Sequence, residues 1–151
     1  MTTVTLQDIK AEHSRLAAMI AQLEASAPTL LLLRETSIEL QPGERYAGLV
    51  LHADGKASHH LVLLPGEGED LTWQAAKDWA TQAGGELPTR QEQALLYANL
   101  KAEFEAARYW SCQAHETNSS GAWLQHFSLG LQYLSGKSFE AHARAVRRFT
   151  A

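Results

Sequence analysis

Three histidines around a predicted hairpin turn have the side-chain chemistry to bind a metal ion. His52, His59 and His60 flank the Asp-Gly dipeptide at 54–55, which favours a two-residue turn with positive φ at both central positions. With that dipeptide at its centre, His52 lies opposite Ala57, and His59 is a diagonal neighbour on the same face. Two imidazoles so placed can share a metal, although the spacing supplies no third ligand. The alternative is ordinary exposed hairpin histidines.

Cys112 and His115, three residues apart, form the candidate pair for nucleophilic catalysis. A thiolate needs a nearby base or positive field to act as a nucleophile, and a free cysteine is more often a small buried side chain. No local motif combines a nucleophile, a base and an oxyanion donor. The sequence therefore predicts no enzyme, no catalytic residue and no cofactor.

The acidic residues Glu67, Glu69 and Asp70 resemble a calcium loop only in composition. They lack the ordered carboxylate spacing of an EF-hand. We therefore expect a solvated loop there, and we assign no metal site.

Polar and aromatic side chains in the last third of the chain are the candidates for contacting a ligand. They are Gln113, His115, Thr117, Asn118, Ser119, Gln125, His126, Gln132 and Tyr133. Amide and aromatic groups on a rigid sheet make large contacts at little cost in entropy. We expect these side chains to face outward, and ordinary surface positions are the alternative.

The first element that must position these groups is an N-terminal helix over 5–25. Thr5 is its expected N-cap and Asp8 places a carboxylate in the first turn. Apolar residues follow the three-then-four spacing of a heptad seam, with a histidine in one gap. The seam consists of Leu6, Ile9, His13, Leu16, Ile20 and Leu23.

A stripe this narrow predicts self-association of the N-terminal helix as a dimer or trimer, because a helix packed on a globular body needs a wider apolar face. Packing on the chain's own body is the alternative. We assign residues 1–27 as an oligomerisation helix and residues 28–151 as the body.

The body is predicted to be α+β, with a mostly antiparallel sheet around two helices. Strands are predicted at 30–34, 37–40, 46–52, 59–64, 123–127 and 143–149. One helix over 72–83 ends at Gly84, and a second begins at Thr89 with Glu92 in a capping box.

Composition and charge narrow the class of protein further. The chain has 151 residues, of which 45% are hydrophobic and 20% charged, and a net charge of -4, which fits one soluble domain or a domain with a short appendage. No membrane-length apolar run and no export leader is evident. Basic residues exceed acidic ones after residue 105, but they form no dense stripe, which argues against a nucleic-acid partner.

An ordered series of short motifs resembles a known family, the DUF1566-type domain of bacterial and prophage genes. The motifs are LTWQAA at 71–76, GGELPTRQE at 84–92, YWS at 109–111, GAW at 121–123, FSLG at 127–130 and VRR at 146–148. The resemblance covers about residues 43–150. It implies a C-type-lectin-like fold.

The resemblance also implies a function, because related domains in phage tail-fibre tips and diversified variable proteins bind protein or sugar receptors through their final strands and loops. We therefore expect a non-enzymatic structural or recognition protein of a virion, associated with a tail fibre or baseplate, binding a protein or glycan. Absent from the sequence are the calcium-binding triplets of sugar-binding lectins and the cysteine pair of formylglycine-generating enzymes. An intracellular prophage-encoded inhibitor or adaptor in the bacterial cytoplasm is the alternative, and an enzyme of that fold class is the third possibility.

Overall fold

A computed structural model describes residues 4–28, 30 and 33–151. The chain divides into two compact units, Met1–Leu32 and Leu33–Ala151, which are described separately. Within the described ranges, no helix combines the length and apolar character that crossing a membrane would require.

The first unit contains the helix α1 (Leu6–Ser26). The backbone N–H of Thr5 donates to Asp8 Oδ2 over 2.8 Å, and the N–H of Asp8 donates to Thr5 Oγ1 over 3.2 Å. This capping box confirms the predicted N-cap, and it begins the helix within one residue of the predicted position. The predicted seam side chains are all exposed: Leu6, Ile9, His13, Leu16, Ile20 and Leu23.

The second unit is α+β, as predicted. Its elements are β1 (Arg45–Leu51), β2 (Ala57–Leu63), β3 (Gly68–Leu71), α2 (Trp73–Gln82), α3 (Arg90–Leu100), β4 (Arg108–Ala114), β5 (Gly121–His126), β6 (Leu131–Gly136), β7 (Ala141–Ala143) and β8 (Val146–Thr150). A 3-10 turn, Lys101–Glu103, follows α3. The strands form a three-stranded sheet in the order β1-β2-β8 and a five-stranded sheet in the order β3-β7-β4-β5-β6. All pairings are antiparallel except that of β4 with β7.

The two helices cover opposite faces of the five-stranded sheet, because strand residues alternate between faces. Trp110 and Leu124 are paired across β4 and β5, and they pack in one core cluster with Trp73 of α2. Tyr109, the neighbour of Trp110, points the other way and packs in a second cluster with Leu96 of α3. With both faces occupied, strand ends and loops are the places where this sheet can present functional groups.

The Glu92 cluster, defined as His59, Glu86, Thr89, Glu92 and Arg148, fixes the start of α3 against the three-stranded sheet. The Glu92 side chain is fully buried and accepts a hydrogen bond from the backbone N–H of Thr89 over 2.8 Å, which completes the predicted capping box. Arg148 Nε and Nη2 donate to its two oxygens over 2.6 and 2.8 Å.

The remaining members of the Glu92 cluster complete the pairing of its charges. His59 Nε2 lies 2.7 Å from Glu92 Oε1, and Arg148 Nη1 also contacts the exposed carboxylate of Glu86. Burial by itself raises the pKa of Glu92, but the hydrogen bonds from Arg148 and Thr89 outweigh burial and hold that pKa below its usual range.

The predicted strands at 30–34 and 37–40 are wrong where the structure describes them. Leu30 and residues 33–40 are not paired in a sheet, and residues 31 and 32 lie outside the described residues. The segment is held instead by side chains of β8, since Arg147 Nη2 donates to the carbonyl of Glu39 over 2.8 Å and its guanidinium pairs with Glu44. Leu30, Leu33 and Leu40 are exposed, and a short run of apolar residues does not by itself distinguish a strand from an unpaired segment.

The predicted strand over 143–149 is two strands that belong to different sheets. Ala143 pairs with Gly68 in the five-stranded sheet, whereas Val146 pairs with Leu63 in the three-stranded sheet. Between them Arg144 is buried, and its Nη2 donates to the carbonyl of Leu64 over 3.1 Å. The chain therefore crosses from one sheet to the other at a residue that alternation alone marks as strand interior.

Candidate ligand-binding site

A polar pocket of about 320 Å³ lies where several strands of the five-stranded sheet begin or end. We call it the rim pocket; its lining is Asp70, Ala106, Ala107, Arg108, His126, Phe139, Glu140, Ala141 and His142. Because α2 and α3 cover the sheet faces, the strand ends are where charged side chains reach solvent.

Arg108 and His126 form the basic side of the rim pocket. They are directly paired across β4 and β5, so their side chains leave the sheet on the same face. The Arg108 guanidinium stands over the ring of Phe139, 5.2 Å from its centroid, a cation–π arrangement that restrains the side chain. Among the described residues, Arg108 forms no side-chain hydrogen bond and no ion pair.

The hydrogen bonds of His126 fix the position of its proton in the neutral state. The backbone N–H of Ser128 donates to His126 Nδ1 over 3.3 Å, and Ser128 Oγ lies 3.0 Å from the same nitrogen. A backbone N–H can only donate, so Nδ1 is the acceptor and the proton of a neutral ring is on Nε2. Within the described chain, no group accepts from the Nε2–H of His126, which leaves this donor free beside Arg108.

Asp70 lies on the acidic side of the rim pocket, in a β-bulge. Gly68 pairs with Ala143 and Leu71 pairs with Ala141, so two residues of β3 stand opposite the single residue His142. Asp70 adopts a φ of 51°, and it is the non-glycine residue with positive φ in the described chain. Bulges redirect side chains at sheet edges, and the predicted solvated loop here is in fact this bulged strand.

The acidic groups of the rim pocket are not paired with its arginine. In the described part of the chain, no ion pair joins Arg108 to Asp70 or Glu140, although all three line the same cavity. The pocket thus presents free positive and free negative groups at once.

A half-buried hydrogen-bond network joins Glu67, the residue two before the bulge residue Glu69, to β4 and β7. The carboxylate of Glu67 accepts hydrogen bonds from the hydroxyl of Tyr109 and, over 2.9 Å, from His142 Nδ1. Burial above all, and the neighbouring carboxylate, raise the pKa of Tyr109, which stays protonated as a donor. The His142 ring is therefore held by this network.

Two of the predicted ligand residues instead bind the start of α3, and a third is bound to one of them. Gln113 Oε1 accepts the backbone N–H of Arg90 over 2.7 Å, and Gln132 Nε2 donates to the Arg90 carbonyl over 2.7 Å. Gln132 also donates to Gln125 Oε1 over 2.9 Å. The expectation that Gln125 faces outward is wrong: it is only 1% exposed, because its polar group is satisfied inside this network.

The predicted loop residues are brought together around a histidine, apart from the rim pocket. His115 Nδ1 accepts the backbone N–H groups of Thr117 and Asn118 over 3.1 and 2.8 Å, and Asn118 and Ser119 are exposed. Tyr133 packs against the core cluster that contains Trp110. Of the predicted ligand residues, only His126 lines the rim pocket.

The hairpin turn differs from the predicted two-residue turn, and two of its histidines are bound by other side chains. His52 N donates to the carbonyl of Lys56 over 2.8 Å, which makes the loop three residues long, and its closing residue Gly55 has a φ of 82°. His59 Nε2 is bound to Glu92, and His60 Nδ1 lies 2.8 Å from the hydroxyl of Tyr46. No group of three metal-ligating side chains is present in the described ranges.

The larger side chains of the rim pocket that the sequence did not predict as ligand contacts are Asp70, Arg108, Phe139, Glu140 and His142. The basic excess after residue 105 includes Arg108, but nothing in the sequence indicates which basic residue remains unpaired. The bulge at Asp70 is equally invisible, because the residue type tolerates positive φ without requiring it.

Comparison of the chain with models of protein families and with curated proteins found no match.

Proposed function

We propose that this chain is a non-enzymatic recognition module of phage or prophage type, which binds a protein or glycan through its C-terminal strands. The observation that carries the proposal is the rim pocket, where Asp70, Arg108 and Glu140 are all unpaired in the described chain. All three residues are exposed, and a few convergent charged groups are the means by which a pocket orients a ligand. His126, predicted as a contact residue, lines the same pocket.

The arrangement of the body is compatible with the resemblance to a C-type-lectin-like domain. Two helices precede the main run of strands, and the last strand, β8, returns to pair with the early strand β2. This order of helices and strands supports the proposal that the body is a scaffold and that its final strands and loops bind the ligand.

The state of the single cysteine supports a non-enzymatic function. Burial raises the pKa of the Cys112 thiol, which keeps it protonated and poorly nucleophilic. Its side chain packs against the core cluster containing Trp110.

The exposed seam of α1 supports assembly of several copies, with a second copy of the same helix as the occupant. Five large apolar side chains at heptad spacing are between 49% and 69% exposed, and burying them against an identical seam removes apolar surface from water. Linked copies would bind a repetitive surface more tightly than single ones, since the second contact is effectively intramolecular.

Assembly is tested by comparing Leu16→Glu, which places a charge in the seam, with Ala18→Glu, which places the same charge on the opposite face of α1. Sedimentation should give a monomer for Leu16→Glu, and an oligomer for both the natural chain and Ala18→Glu. An unchanged mass for Leu16→Glu contradicts the seam.

Recognition is tested by applying labelled protein to a glycan array and to a cross-linked bacterial lysate. Binding should be lost in the double variant Asp70→Asn/Arg108→Gln and weakened in Leu16→Glu, but kept in Ala18→Glu. If the double variant binds the glycan array or the lysate protein as well as the natural chain does, the proposed site is wrong. Capture of one lysate protein by monomer and oligomer alike favours the adaptor or inhibitor alternative.

A further inference from the structure

We propose that the rim pocket binds a small zwitterion of the α-amino acid class, with its ammonium group against Asp70 and Glu140 and its carboxylate against Arg108 and His126. This inference rests on the proposed recognition function and names the ligand class of the same pocket.

The basic side of the rim pocket suits a carboxylate. A guanidinium offers paired N–H donors that match the two oxygens of a carboxylate. The Phe139 ring, 5.2 Å from the Arg108 guanidinium, restrains that group without using its hydrogen-bond donors. His126 lies directly across the strand pair, and its Nε2–H is the free donor in the neutral ring.

The acidic side suits an ammonium group. Asp70 is held at positive φ by the bulge opposite His142, a conformation that aspartate tolerates better than most L-residues and that glycine adopts freely. The chain thus has a carboxylate at a position where glycine would be less strained. Glu140, on the loop before β7, is exposed and adds a second carboxylate to the lining.

The separation of these charges indicates one ligand that bridges them. Arg108 lines the same cavity as Asp70 and Glu140, yet no ion pair joins them in the described chain. A molecule with opposite charges a few bonds apart satisfies both sides at once, whereas an anion or a cation alone leaves one side unpaired. The volume of about 320 Å³ lies at the small end of ligand pockets, which fits an amino acid.

Calorimetric titration of the full chain with four probes tests this assignment. L-alanine retains both charges, L-alaninamide lacks the carboxylate, N-acetyl-L-alanine lacks the ammonium group, and glucose is a neutral polyol. We expect L-alanine to bind with a Kd of about 1 mM or below, and each of the other probes at least about tenfold more weakly, since each loses a charge-assisted contact.

Matched variants connect that binding to the rim pocket. Asp70→Asn and Arg108→Gln should each weaken L-alanine binding by about tenfold or more. Glu69→Gln, in the same strand but outside the lining, and Arg34→Gln should leave it unchanged. Equal binding of L-alanine and L-alaninamide, or no effect of Asp70→Asn, overturns the assignment.

The outcomes also separate this inference from the proposed function. If glucose binds in an Asp70-dependent manner, or if no probe binds while the array or lysate signal still requires the pocket residues, the zwitterion is wrong and the recognition function stands. If L-alanine binds as expected while neither array nor lysate yields a partner, the ligand class stands and multivalent surface recognition is wrong.

Discussion

The Glu92 cluster and the rim pocket are built from the same kinds of side chain, carboxylate, guanidinium and imidazole, and they differ in whether those groups are paired. Glu92 is fully buried and bound by Arg148, His59 and the backbone of Thr89. In the rim pocket, the corresponding charges share a cavity without joining. Because its charges are paired, the Glu92 cluster stabilises the fold. Because its charges are unpaired, the rim pocket is free to bind a ligand.

The largest effect that separates the two regions is expected for Glu92→Gln. This change removes the buried carboxylate from the guanidinium of Arg148, whose side chain is 26% exposed and keeps Glu86 as a partner, and we expect a loss of about 2 kcal/mol in the free energy of unfolding. Glu86→Gln is the matched control, because it removes the other carboxylate that pairs with Arg148. The Glu86 side chain is 72% exposed, so this change should lower the free energy of unfolding by less than about 1 kcal/mol. Urea unfolding of the three proteins measures both. Equal losses would mean that the Glu92 cluster is no more structural than an ordinary surface pair.

A smaller effect is expected from acid. The pKa of Glu92 in the folded protein lies below its ordinary value of 4.5. Its contribution to stability is therefore fully present above that value and is lost as the pH falls through the folded pKa. Urea unfolding at about pH 7 and about pH 3.5 should show a loss in the natural chain that Glu92→Gln reduces by about 1 kcal/mol. An identical loss in both proteins would assign the acid sensitivity to other carboxylates, of which Glu44, whose pKa is lowered by Arg147, is the foremost.

The smallest effect is expected in the rim pocket. Asp70→Asn and Arg108→Gln remove exposed groups without partners in the described chain and should change the free energy of unfolding by less than about 0.5 kcal/mol. Asp70→Gly should be neutral or stabilising by up to about 1 kcal/mol, because it relieves the positive φ. Thermal and urea unfolding measure these changes. A loss comparable to that of Glu92→Gln would show the rim pocket to be structural.

What the sequence predicted well depends on near neighbours along the chain. The N-cap at Thr5 and the capping box at Thr89 are confirmed, and in both the partner lies three residues away. The end of α2 was predicted for the same reason, since Gly84 follows directly with a φ of 90°. Caps and turns of this kind are decided locally.

What the sequence did not predict depends on partners that are distant in the chain. Gln125 was expected at the surface because amides usually are, and its burial depends on Gln132 and on the start of α3. The bulge at Asp70 depends on how β3 pairs with β7. Whether Arg108 or Arg148 forms an ion pair likewise depends on which carboxylates the fold brings close to it. The spacing of residues along the chain does not show which carboxylates these are.

The late return of β8 also sets an order of events during synthesis. Glu92 is made 56 residues before Arg148, and β2 waits longer still for the strand that completes its sheet, since Leu63 pairs with Val146. Until then, the nascent chain can form the β1–β2 hairpin and α3 with its cap, but Glu92 has no guanidinium and β2 has one unpaired edge. Closing so long a loop is slow relative to local structure, so completion of the body waits for residues 146–150.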